Sequence, residues 1–236
     1  MLNSSSYDYV AWCWKAGGSK NTFNIDDVGY ASAAAAGLDG GSITPTGASV
    51  GTKQGFSIIK YPGTDTGSSQ TIPHGLNEPP VFWMYKNITQ GADWVVYTTI
   101  IDGGSDYLKL NATTGASSGV SPWSTLPTNS VVTVGTNNAD TCNAGDNYNM
   151  YAWHNVPGLQ KFGTYTGNGN ADGPMIVTDF KPAILWIKST GSGTYWTILD
   201  SDRDPGNIMG QKLYANSSSA ENPVTSNTLD FLATGF

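Results

Sequence analysis

Tyr148-Asn-Met-Tyr151-Ala-Trp153-His-Asn-Val-Pro-Gly158-Leu-Gln-Lys-Phe162-Gly-Thr-Tyr165-Thr-Gly-Asn-Gly169 is the stretch whose reading decides the fold. Aromatic and apolar residues alternate up to a Pro-Gly turn and resume beyond it, which predicts strand, turn, strand. What lies before the turn resembles what lies after it. The stretch therefore reads as a junction between two copies of one unit.

The copies can be laid side by side. Gly55-Phe56-Ser-Ile-Ile-Lys-Tyr61 parallels Lys161-Phe162-Gly-Thr-Tyr165, and Pro80-Val-Phe-Trp83-Met-Tyr-Lys86 parallels Pro182-Ala-Ile-Leu-Trp186-Ile-Lys188. Trp94-Val-Val-Tyr97 parallels Trp196-Thr-Ile-Leu199, and Leu108-Lys-Leu-Asn111 parallels Leu213-Tyr-Ala-Asn216. Phe56 and Phe162 are 106 positions apart, Trp83 and Trp186 103, Trp94 and Trp196 102, Leu108 and Leu213 105. A period near one hundred exceeds that of solenoid repeats and suits tandem domains that each bury a core.

A partial third copy opens the chain. Tyr7-Asp-Tyr-Val-Ala11-Trp12-Cys-Trp-Lys-Ala-Gly-Gly18 matches Tyr148 to Gly158. The counterpart of the 148–153 strand in the second unit would fall beyond Phe236, so residues 7–14 read as an orphan copy of that strand. The expected layout is an orphan closing strand in 1–18, a Gly/Ala/Thr-rich connector in 19–54, one unit in 55–158 and a second in 159–236. Either the second unit's exposed edge takes up residues 7–14, from the same chain or a neighbour, or the sequence is a portion of a longer one.

Short strands are predicted near 55–61, 80–86, 93–100, 106–110, 130–135 and 147–154. The second unit repeats them near 161–166, 174–178, 183–188, 195–200, 211–215 and 228–232. Turns rich in Gly, Pro, Asn and Asp separate them, so the fold class is all-β: two tandem antiparallel sandwich-like units. The one helix candidate, 27–37, has Asp27 as cap, five alanines, and Gly37 as stop. Trp83, Trp94 and Trp153 are expected in the first core, Trp186 and Trp196 in the second.

Composition narrows function. Of 236 residues only 12% are charged, against 29 Gly and eight Trp, and the net charge is −7. The few Lys and Arg are scattered, so neither a nucleic-acid groove nor an anionic membrane surface finds the concentrated positive charge it needs. No apolar run is long enough to span a bilayer, and the first residues lack the basic and apolar regions of a signal peptide. Cys13 and Cys142 are the two cysteines. They read as structural thiols first, a bridge second.

Candidate chemistry is thin. Asp200, Asp202 and Asp204 alternate as calcium ligands do, but Pro205 stands where such a loop needs Gly, and Gln211 where it needs a bidentate carboxylate. Arg203 sits among the acids and can pair with them. His74 and His154 are the only possible triad bases, and no Gly-x-Ser-x-Gly elbow accompanies them. The two Glu, Glu78 and Glu221, both lie in loop-like sequence and make a weak glycosidase pair. No catalytic residue and no cofactor is assigned. Trp14 and Trp123 lie near turns and are candidate rings for stacking on sugars. Asn3, Asn87, Asn111 and Asn216 open sequons of the kind that Asn-rich turns produce by chance.

Tyr9-Val-Ala-Trp-Cys-Trp-Lys-Ala-Gly-Gly18, Gly55-Phe-Ser-Ile-Ile-Lys-Tyr61, Phe162-Gly-Thr-Tyr-Thr-Gly-Asn-Gly169, Lys181-Pro-Ala-Ile-Leu-Trp-Ile-Lys188 and Asp202-Arg-Asp-Pro205 resemble a repeat family of marine phages, chiefly cyanophages. The resemblance covers nearly the whole chain from Tyr7. It implies a structural protein of the virion, such as a tail fibre that adheres to host-surface glycans, and it implies no catalytic residue. The location implied is the virion or an extracellular surface. Fibres of this kind are commonly trimers, so homo-oligomers and other virion proteins are the expected partners. A capsid decoration or a filament-forming surface protein is the rival, and a carbohydrate-active enzyme comes third.

Overall fold

The computed structural model describes residues 5, 8–64, 66–103, 106–118, 125–135, 138–223 and 229–236. Among these the chain is all-β. The strands are β1 (Phe23–Ile25), β2 (Val28–Tyr30), β3 (Gly47–Gly51), β4 (Phe56–Pro62), β5 (Gln70–Pro73), β6 (Phe82–Asn87), β7 (Trp94–Thr98) and β8 (Asp106–Lys109). They continue with β9 (Ser117–Ser118), β10 (Val131–Val134), β11 (Asn147–Trp153), β12 (Ile184–Ile187), β13 (Thr197–Asp200), β14 (Gln211–Tyr214) and β15 (Asn222–Pro223).

Nine strands form one sheet in the order β2-β1-β3-β4-β11-β6-β7-β8-β9, and β10 pairs with β5 as a second layer. β11, the strand of the opening stretch, lies in the middle, antiparallel to β4 on one side and β6 on the other. Its even positions, Tyr148, Met150 and Ala152, face β5 and β10 and share a core with Ile59, Tyr61, Trp83, Tyr85, Tyr97, Ile72, Val132 and Val134. Tyr61 stacks on Tyr148 at 5.2 Å and meets Tyr85 edge-on at 6.3 Å. This is the first sandwich.

The second unit is the four-stranded sheet β12-β13-β14-β15. Its register copies that of β6-β7-β8-β9. Phe82 pairs with Thr98, and Ile184 with Asp200. Val96 pairs with Leu108, and Ile198 with Leu213. Asp106 pairs with Ser118, and Gln211 with Pro223. Side-chain caps recur too. Asn111 Oδ1 accepts the Trp94 amide at 3.0 Å and Asn216 Oδ1 the Trp196 amide at 2.9 Å. Asn77 and Asp179, which lead into β6 and β12, both take a left-handed backbone, with φ of 64° and 69°.

Four expectations change. The segment 27–37 is no helix: Val28–Tyr30 is a strand against β1, and Ser32–Gly37 is a tight turn in which the Ala36 amide reaches the Ser32 carbonyl. Pairing with Phe23–Ile25 outcompetes a helix too short to hold itself. The expected connector 19–54 is not a linker, because β1, β2 and β3 extend the first sheet. Residues 8–14 form no strand, and Cys13 is exposed rather than buried, while Cys142 is buried and neither cysteine is in a disulfide. Residues 161–166 form no strand; near 174–178 and, among the described residues, near 229–232 only isolated bridges occur, such as Val177 with Gly235.

The expected pairing of Trp186 with Trp83 is one residue out. In the structural register Trp186 matches Met84, and Leu185 matches Trp83. A one-residue slip moves a side chain to the opposite face. Leu185 and Leu199 therefore point into the second unit's own small core with Met209 and Phe231. Trp186 and Trp196 point the other way.

Candidate functional site

The face of β4, β6, β7 and β11 away from β5 and β10 is not solvated. Phe56, Met84, Val96, Leu108 and Trp153 are buried there against Trp196, with Phe82, Trp94, Tyr151, Phe162 and Trp186 at the edges. Equivalent faces of the two units thus meet in one aromatic seam. Phe56 stacks on Trp153 at 4.6 Å, Phe82 on Phe162 at 5.3 Å, and Trp186 meets Trp196 edge-on at 5.8 Å. Trp83, Trp153 and Trp196 are buried, while Trp94 and Trp186 are half-buried at the seam. Polar contacts cross it: Trp196 Nε1 donates to the Lys109 carbonyl at 2.9 Å and Asn216 Nδ2 to that of Ala112 at 2.8 Å.

Residues 12–17 run from the edge of this seam to the second unit. Gly17 sits so close to β1 and β3 that a Cβ there would stand 2.3 Å from the Val50 carbonyl oxygen. Ala16 packs at the seam's edge. Trp12 reaches the second unit: its Nε1 donates to Asp200 Oδ2 at 3.2 Å, and its ring lies 5.8 Å from the Arg203 guanidinium. Residues 12–17 are a strap from the first sheet to the second.

Asp200 is 3% exposed. Burial would raise its pKa, but the Arg203 amide at 3.0 Å, the Arg203 guanidinium at 2.6 Å and the Trp12 indole outweigh it and hold the carboxyl below its ordinary value. Arg203 also bonds Glu221 and the Ile198 carbonyl. Asp204 turns away and accepts the amides of Gly210 and Gln211, and Asp202 is exposed. The three aspartates of the calcium-like stretch thus do separate jobs. Among the described residues no three His, Cys, Asp or Glu side chains converge.

The other candidates are placed as follows. Burial lowers the pKa of His74 to about 4; its Nε2 meets the Thr128 carbonyl at 3.0 Å and its Nδ1 accepts the Leu76 amide. That imidazole is a neutral structural group. His154 is buried beside the Pro-Gly turn, with Nδ1 on the Asn155 carbonyl at 2.7 Å. Asn87 is buried and donates to Asp146, whose carboxyl bonds with Gln90, Asn143 and Asn87 hold below its ordinary pKa. Asn111 and Asn216 are the caps described above. Of the sugar-stacking candidates Trp14 is 45% exposed, as is Tyr9 nearby at 52%. Trp123 and Asn3 lie outside the described residues. A cavity of about 120 Å³ beside Leu38, Pro73 and Asn77 is smaller than typical small-molecule pockets. The match of residues 7–14 to the 148–153 strand pointed these residues toward the second unit, and the Trp12–Asp200 contact, which joins positions 188 apart, places Trp12 there, though not as a strand.

The aromatic seam, the copied register and the strap all belong to a sequence pattern that runs the whole length of the chain. The chain belongs to the DUF7483 family. That family's model, described as a domain of unknown function, matches residues 1–236. No curated protein and no solved structure matches it. No helix among the described residues of this DUF7483 chain is long and apolar enough to cross a membrane.

Proposed function

We propose that this DUF7483 chain is a structural protein of a phage virion, placed in a tail fibre or similar appendage that touches carbohydrate on the host surface. The observation that carries the reading is the seam: two copies of one sheet locked face to face by Trp94, Trp186 and Trp196 form a rigid scaffold with loops at its ends. Rigid scaffolds presenting loops are the usual architecture of binding proteins. The resemblance to phage virion repeats supports the same reading. Asp146, Asp200 and His74, the groups best suited to chemistry by burial, are spent on internal hydrogen bonds. Trp14, exposed on the strap, is the ring proposed to stack on sugar.

Immunogold labelling of the phage particles that carry the gene tests the placement. Label on the appendages is expected, and label absent from the particles overturns it. Label spread over the head favours the rival, a capsid decoration. A glycan array probed with the wild-type chain and with Trp14→Ala tests adhesion; binding that survives the substitution removes Trp14 from the role.

A further inference from the structure

The copied register allows the two units to be compared side chain by side chain. By that register Asp93, Tyr107 and Lys109 of the first unit correspond to Tyr195, Lys212 and Tyr214 of the second. In the first unit these positions close on themselves. Lys109 Nζ pairs with Asp93 Oδ2 at 2.5 Å, and Asn111 Nδ2 donates to Asp93 Oδ1 at 2.8 Å. Tyr107 packs against the first core beside Tyr97.

In the second unit the ion pair has become two tyrosines. The rings of Tyr195 and Tyr214 lie 4.6 Å apart, and Tyr195 is 44% exposed. Lys212 and Tyr214 are two apart on β14 and share a face, and Lys212 Nζ stands 5.6 Å from the Tyr214 ring centroid. Lys212 forms no ion pair among the described residues. Glu221, next to its strand partner Asn222, is taken by Arg203. A closed patch in one copy is thus an open aromatic patch with an unpaired cation in the other. On a chain of net charge −7, such a cation is a place for a negative group from outside.

We infer that Tyr195, Tyr214 and Lys212 form a binding site for an acidic sugar, one whose ring carries a carboxylate or a sulfate. The exposed face of Tyr195 is electron-rich and attracts the C–H face of a sugar ring. Tyr214 backs Tyr195 and fixes its orientation. Lys212 supplies the charge-assisted bond to the negative group. A neutral sugar keeps the stacking and loses that bond; a simple inorganic anion keeps the bond and loses the stacking. The inference rests on the reading that the chain touches carbohydrate, and it adds a site to Trp14.

Calorimetric titration of the intact chain with oligogalacturonate, with sulfated dextran and with plain dextran decides it. Binding of at least one acidic polymer, tighter than that of plain dextran, is expected, and the tighter of the two names the negative group. Tyr195→Ala weakens that binding about tenfold. Lys212→Gln weakens it about threefold and brings it to the level of plain dextran. No binding of either acidic polymer overturns the proposal, as does plain dextran bound equally well or acidic-polymer binding unchanged by Tyr195→Ala. If Tyr195→Ala melts below the wild type, Lys212→Gln alone decides, and unchanged binding overturns the site. Glycan binding lost in Trp14→Ala and kept in Tyr195→Ala removes this site and leaves the adhesive reading standing. A chain that binds no glycan at all removes both.

Discussion

Trp196 of the second unit donates its indole N–H to the carbonyl oxygen of Lys109 in the first, at 2.9 Å. The bond lies in the aromatic seam, and the ring is 4% exposed. One side chain therefore fills a cavity and satisfies a strand end in the other unit. Trp196→Ala removes both and is expected to cost about 3–5 kcal/mol. Trp196→Phe keeps most of the packing and leaves one carbonyl without its donor, a cost of about 1–3 kcal/mol. Urea denaturation monitored by fluorescence gives both values. If the alanine variant costs less than the phenylalanine one, the seam does not hold the units together.

Among the described residues, Arg203 is the cation paired with buried Asp200. Arg203→Met leaves that carboxylate without its ion pair and is expected to destabilise the second unit by about 3–5 kcal/mol. The same substitution removes the cation beneath Trp12. Limited proteolysis should then cut the strap before either sheet. A strap as resistant as in the wild type would show that Trp12 is held by something else.

Gly17→Ala probes the other end of the strap. Its Cβ would meet the Val50 carbonyl oxygen at 2.3 Å and the Asn24 carbonyl oxygen at 2.6 Å, both backbone atoms that cannot step aside. Hydrogen exchange at residues 12–18 is expected to rise while exchange in β11 stays slow. Equal protection at both sites would count against this seat.

His74 sets an acid-side limit. Burial lowers its pKa from 6.5 to about 4. Below pH 6.5 the unfolded chain takes up a proton that the folded chain refuses, so stability falls as pH drops toward 4 and is unaffected by this group above 6.5. The full loss is about 3 kcal/mol, from roughly 1.4 kcal/mol per pKa unit. Asp200, whose pKa is lowered, adds a further loss only below the ordinary carboxylate value. Denaturation midpoints of wild type and His74→Gln between pH 7 and 4 separate the two: the wild type declines across that window and the variant stays flat.

Much of the fold could be read from residues alone, and the reasons are physical. Trp94 and Trp196 mark equivalent positions because Trp94 opens β7 and Trp196 immediately precedes β13, and each amide is capped by an Asn, a cap that constrains spacing. Aligning Trp83 with Trp186 failed because identity of a ring is a weaker constraint than the parity of a strand. Leu185 holds the inward place in a smaller core, and Trp186 serves the seam. β1 and β2 were obscured by Asp26 and Asp27, whose left-handed backbone makes the tight turn between them and which read locally as a helix cap. That residues 7–14 belong with the second unit was legible from their match to the 148–153 strand, but not that they reach it through the Trp12 indole without forming a strand, because such docking depends on a surface assembled from distant strands.

Equivalent faces meeting in one seam amount to a dimer interface written into a single polypeptide. In a dimer of identical subunits every substitution at such a contact occurs twice. Here each half mutates alone, so Trp196 can become a deeply buried anchor while Trp94 stays at the rim.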